Sequence, residues 1–269
     1  MQTITVYNEK GGVGKTTLAS IIGAGLAMRD HKVLLIDADG QGDLTKNFKI
    51  PMHSGFYNFI KRNDKDSPDY IPTKQLLLRP PQDKHPKNLY VIAGNTETWG
   101  IPTSTRLQGI VGSIALRFAE LAPVFDYCII DTQPSASTLH DAIALVTDYF
   151  LIPTDAEPLS AYGGLKSALE HIAGVREQSL RNGRDKAKLM GIVPNKCDVR
   201  TKLHQHILET LIEDYGDAVW PPLPKRINVS EAQLLQASLL FDAPELETNE
   251  YLWALIDRVE AATKETSHG

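Results

Sequence analysis

Short apolar runs alternate along this chain with longer stretches whose apolar residues recur every three to four positions. The runs at 3–7, 32–37, 88–93, 127–131, 148–153 and 188–194 have the length and the Val, Ile, Leu and Tyr content of buried strands. The helical period predicts helices at 16–28, 106–121, 164–178, 202–215 and 249–264. Strand-like runs separated by helices predict an α/β fold, a mostly parallel twisted sheet with helices on both faces. Ligands bind such sheets outside the carboxyl ends of the strands. The segment 54–87 breaks the rhythm: it is polar and proline-rich towards its end. It reads as a short helix at 55–62 followed by an irregular surface excursion, inside a single domain spanning 1–269. The tail at 265–269 is expected to be disordered.

Composition narrows the choices of partner more than those of fold. The net charge is −5, so any affinity for nucleic acid must come from a local patch. Residues 176–226 carry ten Lys/Arg against seven Asp/Glu, and residues 227–269 carry two against eight. That segregation is a modest sign of a basic face. The first residues alternate like a strand and run straight into a glycine-rich loop, unlike a signal peptide. No apolar run approaches the roughly eighteen residues a membrane span requires. Cys128 and Cys197 lie far apart with no metal-ligand spacing, which points to a reducing cytoplasm and away from a cysteine metal site.

The chemistry begins directly after the first strand. In Lys10-Gly11-Gly12-Val13-Gly14-Lys15-Thr16-Thr17 the glycines let backbone N–H groups turn inward around phosphate oxygens. Lys15 is placed to neutralise the β- and γ-phosphates, and the Thr16 hydroxyl to ligate Mg²⁺. The strand at 32–37 empties into Asp37-Ala38-Asp39-Gly40-Gln41-Gly42-Asp43, with two carboxylates two apart that would face the pocket together. The strand at 127–131 ends in Asp131-Thr132-Gln133-Pro134-Ser135, and a third ends in Asn195-Lys196-Cys197-Asp198. That last tetrapeptide fits N-K-x-D, in which the aspartate accepts from the ring N–H and exocyclic amine of guanine, so the residues alone leave a GTPase reading open.

Glu9-Lys10 stands where ordinary phosphate loops begin with glycine, and this extra lysine resembles the signature of the deviant Walker A group. The aspartate loops resemble that group's D-x-D-P-Q-G-N and D-Y-I-I-I-D-T-P-P-S, with Gly40, Asp43 and Gln133 as departures. Asp198-Val199-Arg200-Thr201-Lys202-Leu203 and the stretch 224–232 resemble ParA-family loops that flank adenine and contact DNA backbone. The chain is therefore similar to the ParA family of the ParA/MinD superfamily from about residue 3 to 255.

The resemblance implies a P-loop ATPase that uses ATP/ADP and Mg²⁺. Gly11–Thr17 would hold the phosphates, Asn195 and Pro224 would lie near adenine, and Thr16, Asp39 and Asp131 would serve the metal. Asp39 would also orient the attacking water, and Lys10 would cross a homodimer to the partner's phosphates. Arg200, Lys202, Lys225 and Arg226 would touch nonspecific duplex DNA, although Asn228 stands where an arginine is common. A ParB-like or adaptor protein would stimulate slow hydrolysis, in a cytoplasmic, nucleoid-associated setting with no membrane attachment. No helix-turn-helix precedes the loop, so sequence-specific repression is not expected. The alternatives are a MinD-like membrane positioner, for which the acidic flanks of the last helix argue poorly, and a metabolic ligase or GTPase of related fold.

Overall fold

Six strands form one sheet in this computed structural model, which describes residues 1–83, 85–101, 106–134, 137–155, 158–225 and 248–264. They are β1 (Gln2–Val6), β2 (Val33–Ala38), β3 (Leu89–Ile92), β4 (Tyr127–Thr132), β5 (Tyr149–Asp155) and β6 (Lys188–Asn195). All pair in parallel, in the order β3-β2-β4-β1-β5-β6. The expected strands are all present, with ends moved by a residue or two. Their side chains alternate between two apolar layers as the pleat requires: Val33 and Leu35 enter one, Leu34 and Ile36 the other.

One layer is closed by α1 (Lys15–Met28) and by α9 (Thr248–Lys264). From α9, Leu252, Leu255, Ile256 and Val259 are buried in that layer, while Tyr251 stays exposed. The apolar stripe of the last helix is thus core, as its acidic flanks suggest. Among the described residues no helix is long and apolar enough to cross a membrane. The opposite layer is closed by α3 (Gly55–Lys61), α5 (Leu107–Leu121) and α6 (Thr138–Val146). Near β5 and β6 a third cluster packs under α7 (Pro158–Arg181) and α8 (Lys202–Tyr215).

The segment 54–87 corrects the reading of a surface excursion. Phe56, Phe59 and Ile60 of α3 and Leu76 of the short α4 (Thr73–Leu76) are buried against the sheet. Leu78 bridges to Val91 of β3 in antiparallel fashion. These apolar residues are too few and too widely spaced to show a period, so the polar residues between them dominate the sequence pattern. Arg117 of α5 fastens the segment. Buried at 2% exposure, it donates to the carbonyls of Phe59 (3.3 Å), Arg62 (2.7 Å) and Ile71 (2.8 Å) and to the Thr73 hydroxyl (2.8 Å). Arg117→Met keeps the aliphatic packing but strands those acceptors. It should lower unfolding free energy by about 2–4 kcal/mol, read from the urea midpoint at constant slope. A shift below about 0.5 kcal/mol would mean that water satisfies those carbonyls instead. The tail 265–269 and Lys84 lie outside the described residues.

Candidate phosphate and metal site

Strand order brings the chemistry together. β1 lies between β4 and β5, so the loop leaving Val6 emerges between the ends of two other strands. Val6 is in register with Asp131, Asp131 with Asp37, and Asp155 with Asn195. Residues far apart in the chain therefore meet at one sheet edge.

The loop itself turns on Gly12 (φ 76°) and Gly14 (φ 100°), both in the left-handed region that a side chain disfavours. Gly14 is also the N-cap of α1, and no side chain caps that helix or places a carboxylate in its first turn. Its first N–H groups are left for an anion, reinforced by the positive end of the helix dipole. Lys15 is buried, and its amine donates to the Lys10 carbonyl at 2.9 Å. Burial lowers its pKa, while Asp131 and Asp39 pull it back up. Upstream, Asn8 steers the chain into the loop. Its amide donates to the Pro153 carbonyl (2.8 Å), and its side-chain oxygen accepts from Lys10 N–H (2.9 Å). Glu9 is anchored by the Tyr7 hydroxyl (3.0 Å) and by Ser167 of α7 (2.6 Å).

Three carboxylates stand behind the loop, in unequal states. Asp131 is fully buried, and neither of its oxygens has a hydrogen-bond partner. Burial, then the neighbouring Asp37, raises its pKa well above the ordinary range, and the Thr16 side chain acts in the opposite direction. An unpartnered buried carboxylate of this kind is what a divalent cation satisfies. Asp37 does not face the pocket together with Asp39, contrary to the expectation. It accepts from the Thr45 hydroxyl (2.6 Å) and amide (2.8 Å) and from the Asp39 amide (3.2 Å), which fixes the Gly-rich loop and α2 (Asp43–Asn47) to the strand end. Burial pushes its pKa up to about 6. The spacing argument failed because β2 ends at Ala38, and Asp39 already lies on the loop. Asp39 accepts from the Gln41 amide (2.9 Å), and burial raises its pKa as well. Among the described residues no three His, Cys, Asp or Glu side chains could hold a metal alone. That suits Mg²⁺, which takes one or two protein oxygens together with phosphate and water. Thr16 and Asp131 fit that role.

Lys10 is folded onto its own subunit. Its Nζ pairs with Asp155 at the end of β5, 2.8 Å away, with side-chain exposures of 33% and 13%. Gly164 of α7 lets this happen, since a Cβ there would press on Asn8 and Lys10. Gly40, where the resemblance has proline, leaves room for the Trp99 indole, which a Cβ would strike. The buried His140 of α6 positions the stretch after β4. Its Nε2–H donates to the Gln133 carbonyl (2.9 Å) while Nδ1 faces the Ser137 hydroxyl (2.9 Å), and burial lowers its pKa to about 4.

The loop after β6 closes the other side. Asn195 donates to the Val13 carbonyl (2.9 Å) and Lys196 to the Gly12 carbonyl (2.6 Å), gripping the phosphate loop. Pro224 is brought alongside: Cys197 N–H donates to the Leu223 carbonyl (3.0 Å), and Lys225 N–H to the Cys197 carbonyl (2.8 Å). Asn195 and Pro224 are thus neighbours. Arg200, Lys202 and Lys225 are exposed beside the same loop, and Arg226 lies outside the described residues. Asn8, Thr45, His140 and Asp155 carry no motif. Of these, Asp155 alone offered a signal, an acidic residue closing an apolar strand.

Comparison with known proteins agrees with this arrangement. Over 249 residues the chain is 28% identical to the chromosome-partitioning ATPase Soj of Thermus thermophilus, covering 91% of this chain and 89% of that one. In fold it is similar to Cyanothece McdA in its ATP complex, with a TM-score of 0.79 at 21% identity over 98% and 96% of the two chains. It is also similar to cobyrinic acid a,c-diamide synthase of Mycobacterium smegmatis bound to an ATP analogue and magnesium. There the TM-score is 0.70 at 24% identity, over 89% and 94%. Residues 1–184 match the AAA domain family AAA_31, so the chain belongs to that family and, with its Soj and ParA relatives, to the ParA/MinD group.

Proposed function

We propose that the protein is a Mg-dependent ATPase that switches between an ADP-bound form and an ATP-bound homodimer. The dimer binds nonspecific duplex DNA and positions a plasmid, chromosome or other cargo. The observation that carries this reading is the uncapped N-terminus of α1 beside buried Lys15 and unpartnered Asp131, with Lys10 on the rim. The partition role of Soj and the fold shared with McdA support it.

In this reading the backbone N–H groups of Gly11–Thr17 and the Lys15 amine bind the phosphates, and Thr16 and Asp131 hold the metal. Mg²⁺ would neutralise charge on the phosphoryl oxygens. Asp39 orients a water for attack on the γ-phosphorus as the bond to the ADP oxygen breaks. Lys10 leaves Asp155 for the partner subunit's nucleotide, exchanging one carboxylate for a more highly charged triphosphate, and it stabilises developing charge as an arginine finger does. Closure of two subunits doubles the weak basic patch at Arg200, Lys202 and Lys225, so DNA affinity follows the nucleotide state. A partner protein accelerates the slow hydrolysis and returns the ADP form.

The test is binding to random-sequence duplex DNA with ATP, ADP or no nucleotide, across a salt series, alongside Lys10→Ala. Binding should require ATP, weaken steeply with salt, and disappear in the variant. DNA binding in no state would reject the DNA-scaffold switch. Assays on liposomes and on small-molecule ligase substrates would then separate the two rival readings.

A further inference from the structure

The loop after β6 holds a second layer of information, concerning which base the site accepts. Its N-K-x-D tetrapeptide carries the one side chain suited to guanine. Guanine offers two adjacent donors, the ring N1–H and the 2-amino group, which a carboxylate accepts together. Adenine offers a lone pair at N1, which a carboxylate repels. The first two residues of the tetrapeptide are docked on the phosphate loop, Asn195 to Val13 and Lys196 to Gly12. The loop therefore borders the space beside the phosphates.

Asp198 is nevertheless not offered to a base. Its Oδ1 accepts from Arg200 Nε at 2.8 Å and its Oδ2 from Arg200 Nη2 at 2.9 Å, a two-pronged ion pair. The backbone around it is fixed independently of that guanidinium. Asp198 N–H donates to His204 Nδ1 (2.8 Å), and the Asp198 carbonyl accepts from the Thr201 hydroxyl (2.9 Å), which also caps α8. The Arg200 amide reaches Oδ1 at 3.2 Å. Removing the Arg200 side chain would leave Asp198 in place with Oδ2 released.

We propose that Arg200 is a specificity-determining residue: by occupying both oxygens of Asp198 it withholds the guanine-reading carboxylate and keeps the site open to adenine. This rests on the reading that the loop after β6 and Pro224 flank the base. It gives Arg200 a role in nucleotide choice separate from any contact with DNA. The guanidinium is 86% exposed, so the pair contributes little to stability, and its loss should be tolerated by the fold.

The experiment measures dissociation constants for ADP and GDP, without DNA, for the wild type, Arg200→Ala, Asp198→Asn and the double variant. Wild type should prefer ADP. Arg200→Ala should tighten GDP by about tenfold, the scale of one two-point base contact, with ADP unchanged or weaker. The double variant should return to the wild-type ratio, and Asp198→Asn alone should not move it. An Arg200→Ala protein that melts normally, binds ADP and keeps the wild-type GDP-to-ADP ratio would overturn the assignment. So would a wild type that already prefers GDP. Failure of the wild type to bind either nucleotide would take down the nucleotide reading, and this inference with it.

Discussion

Lys15→Ala is expected to abolish nucleotide binding, weakening ATP affinity by roughly a hundredfold or more, because charge-assisted contacts to phosphate are lost at a buried site. The reason lies in what surrounds the amine. Lys15 is the buried cation at the mouth of the phosphate loop, and Asp131 and Asp39 both act on its charge. Without it, incoming phosphates would meet those carboxylates with only backbone dipoles to offset them. The fold should survive. The amine's printed hydrogen bond is to the Lys10 carbonyl, and the packing around α1 is carried by Leu18, Ile22 and Leu26. Titration calorimetry with ATP and Mg²⁺, beside a thermal melt of the same sample, checks both points. An affinity within about threefold of wild type in a folded variant would remove Lys15 from the site, since a lost charged contact costs more than that.

Asp39→Ala is expected to separate binding from turnover. Asp39 sits past the end of β2 on the loop that Asp37 and Thr45 tie down, accepting from Gln41. Because Asp37 carries the structural bonds, removing the Asp39 carboxylate should leave the loop in place. Loss of a positioned water-orienting group slows turnover by about 10²–10⁴-fold. Binding should persist or improve, since one negative charge beside the phosphates is gone. The variant should therefore accumulate as an ATP dimer on size exclusion while phosphate release falls towards background. Unchanged turnover would exclude Asp39 from the mechanism. Loss of ATP binding would instead assign it to the metal.

Much of this was legible in the one-dimensional pattern, for reasons that differ between elements. The strands of a parallel sheet covered on both faces are continuously apolar, so β2 and β4 stand out as Val33–Ala38 and Tyr127–Thr132. The phosphate loop is legible because its chemistry depends on backbone N–H groups from consecutive residues, and consecutive residues leave a motif. Lys10 next to that loop is legible for the same reason. The short α2 and α4, the α6 that follows β4, and the burial of Phe56 and Phe59 were not. Elements of one or two turns carry too few apolar positions to establish a period.

What the sequence could not supply is everything made by strand order. That Lys10 pairs with Asp155, that Asn195 and Lys196 grip carbonyls of the phosphate loop, and that His140 holds Gln133 depend on which strand ends lie side by side. The two aspartates after β2 show the same limit at short range. Spacing placed both in the pocket, but the strand ended between them, and Thr45 claimed Asp37. Arg200 and Asp198 are two residues apart and adjacent in any reading of the chain, yet their pairing is a matter of rotamers. Local chemistry is written in neighbouring residues because the backbone presents them together. The choice of partner among distant or flexible charged groups is made by packing, once the sheet has set who meets whom.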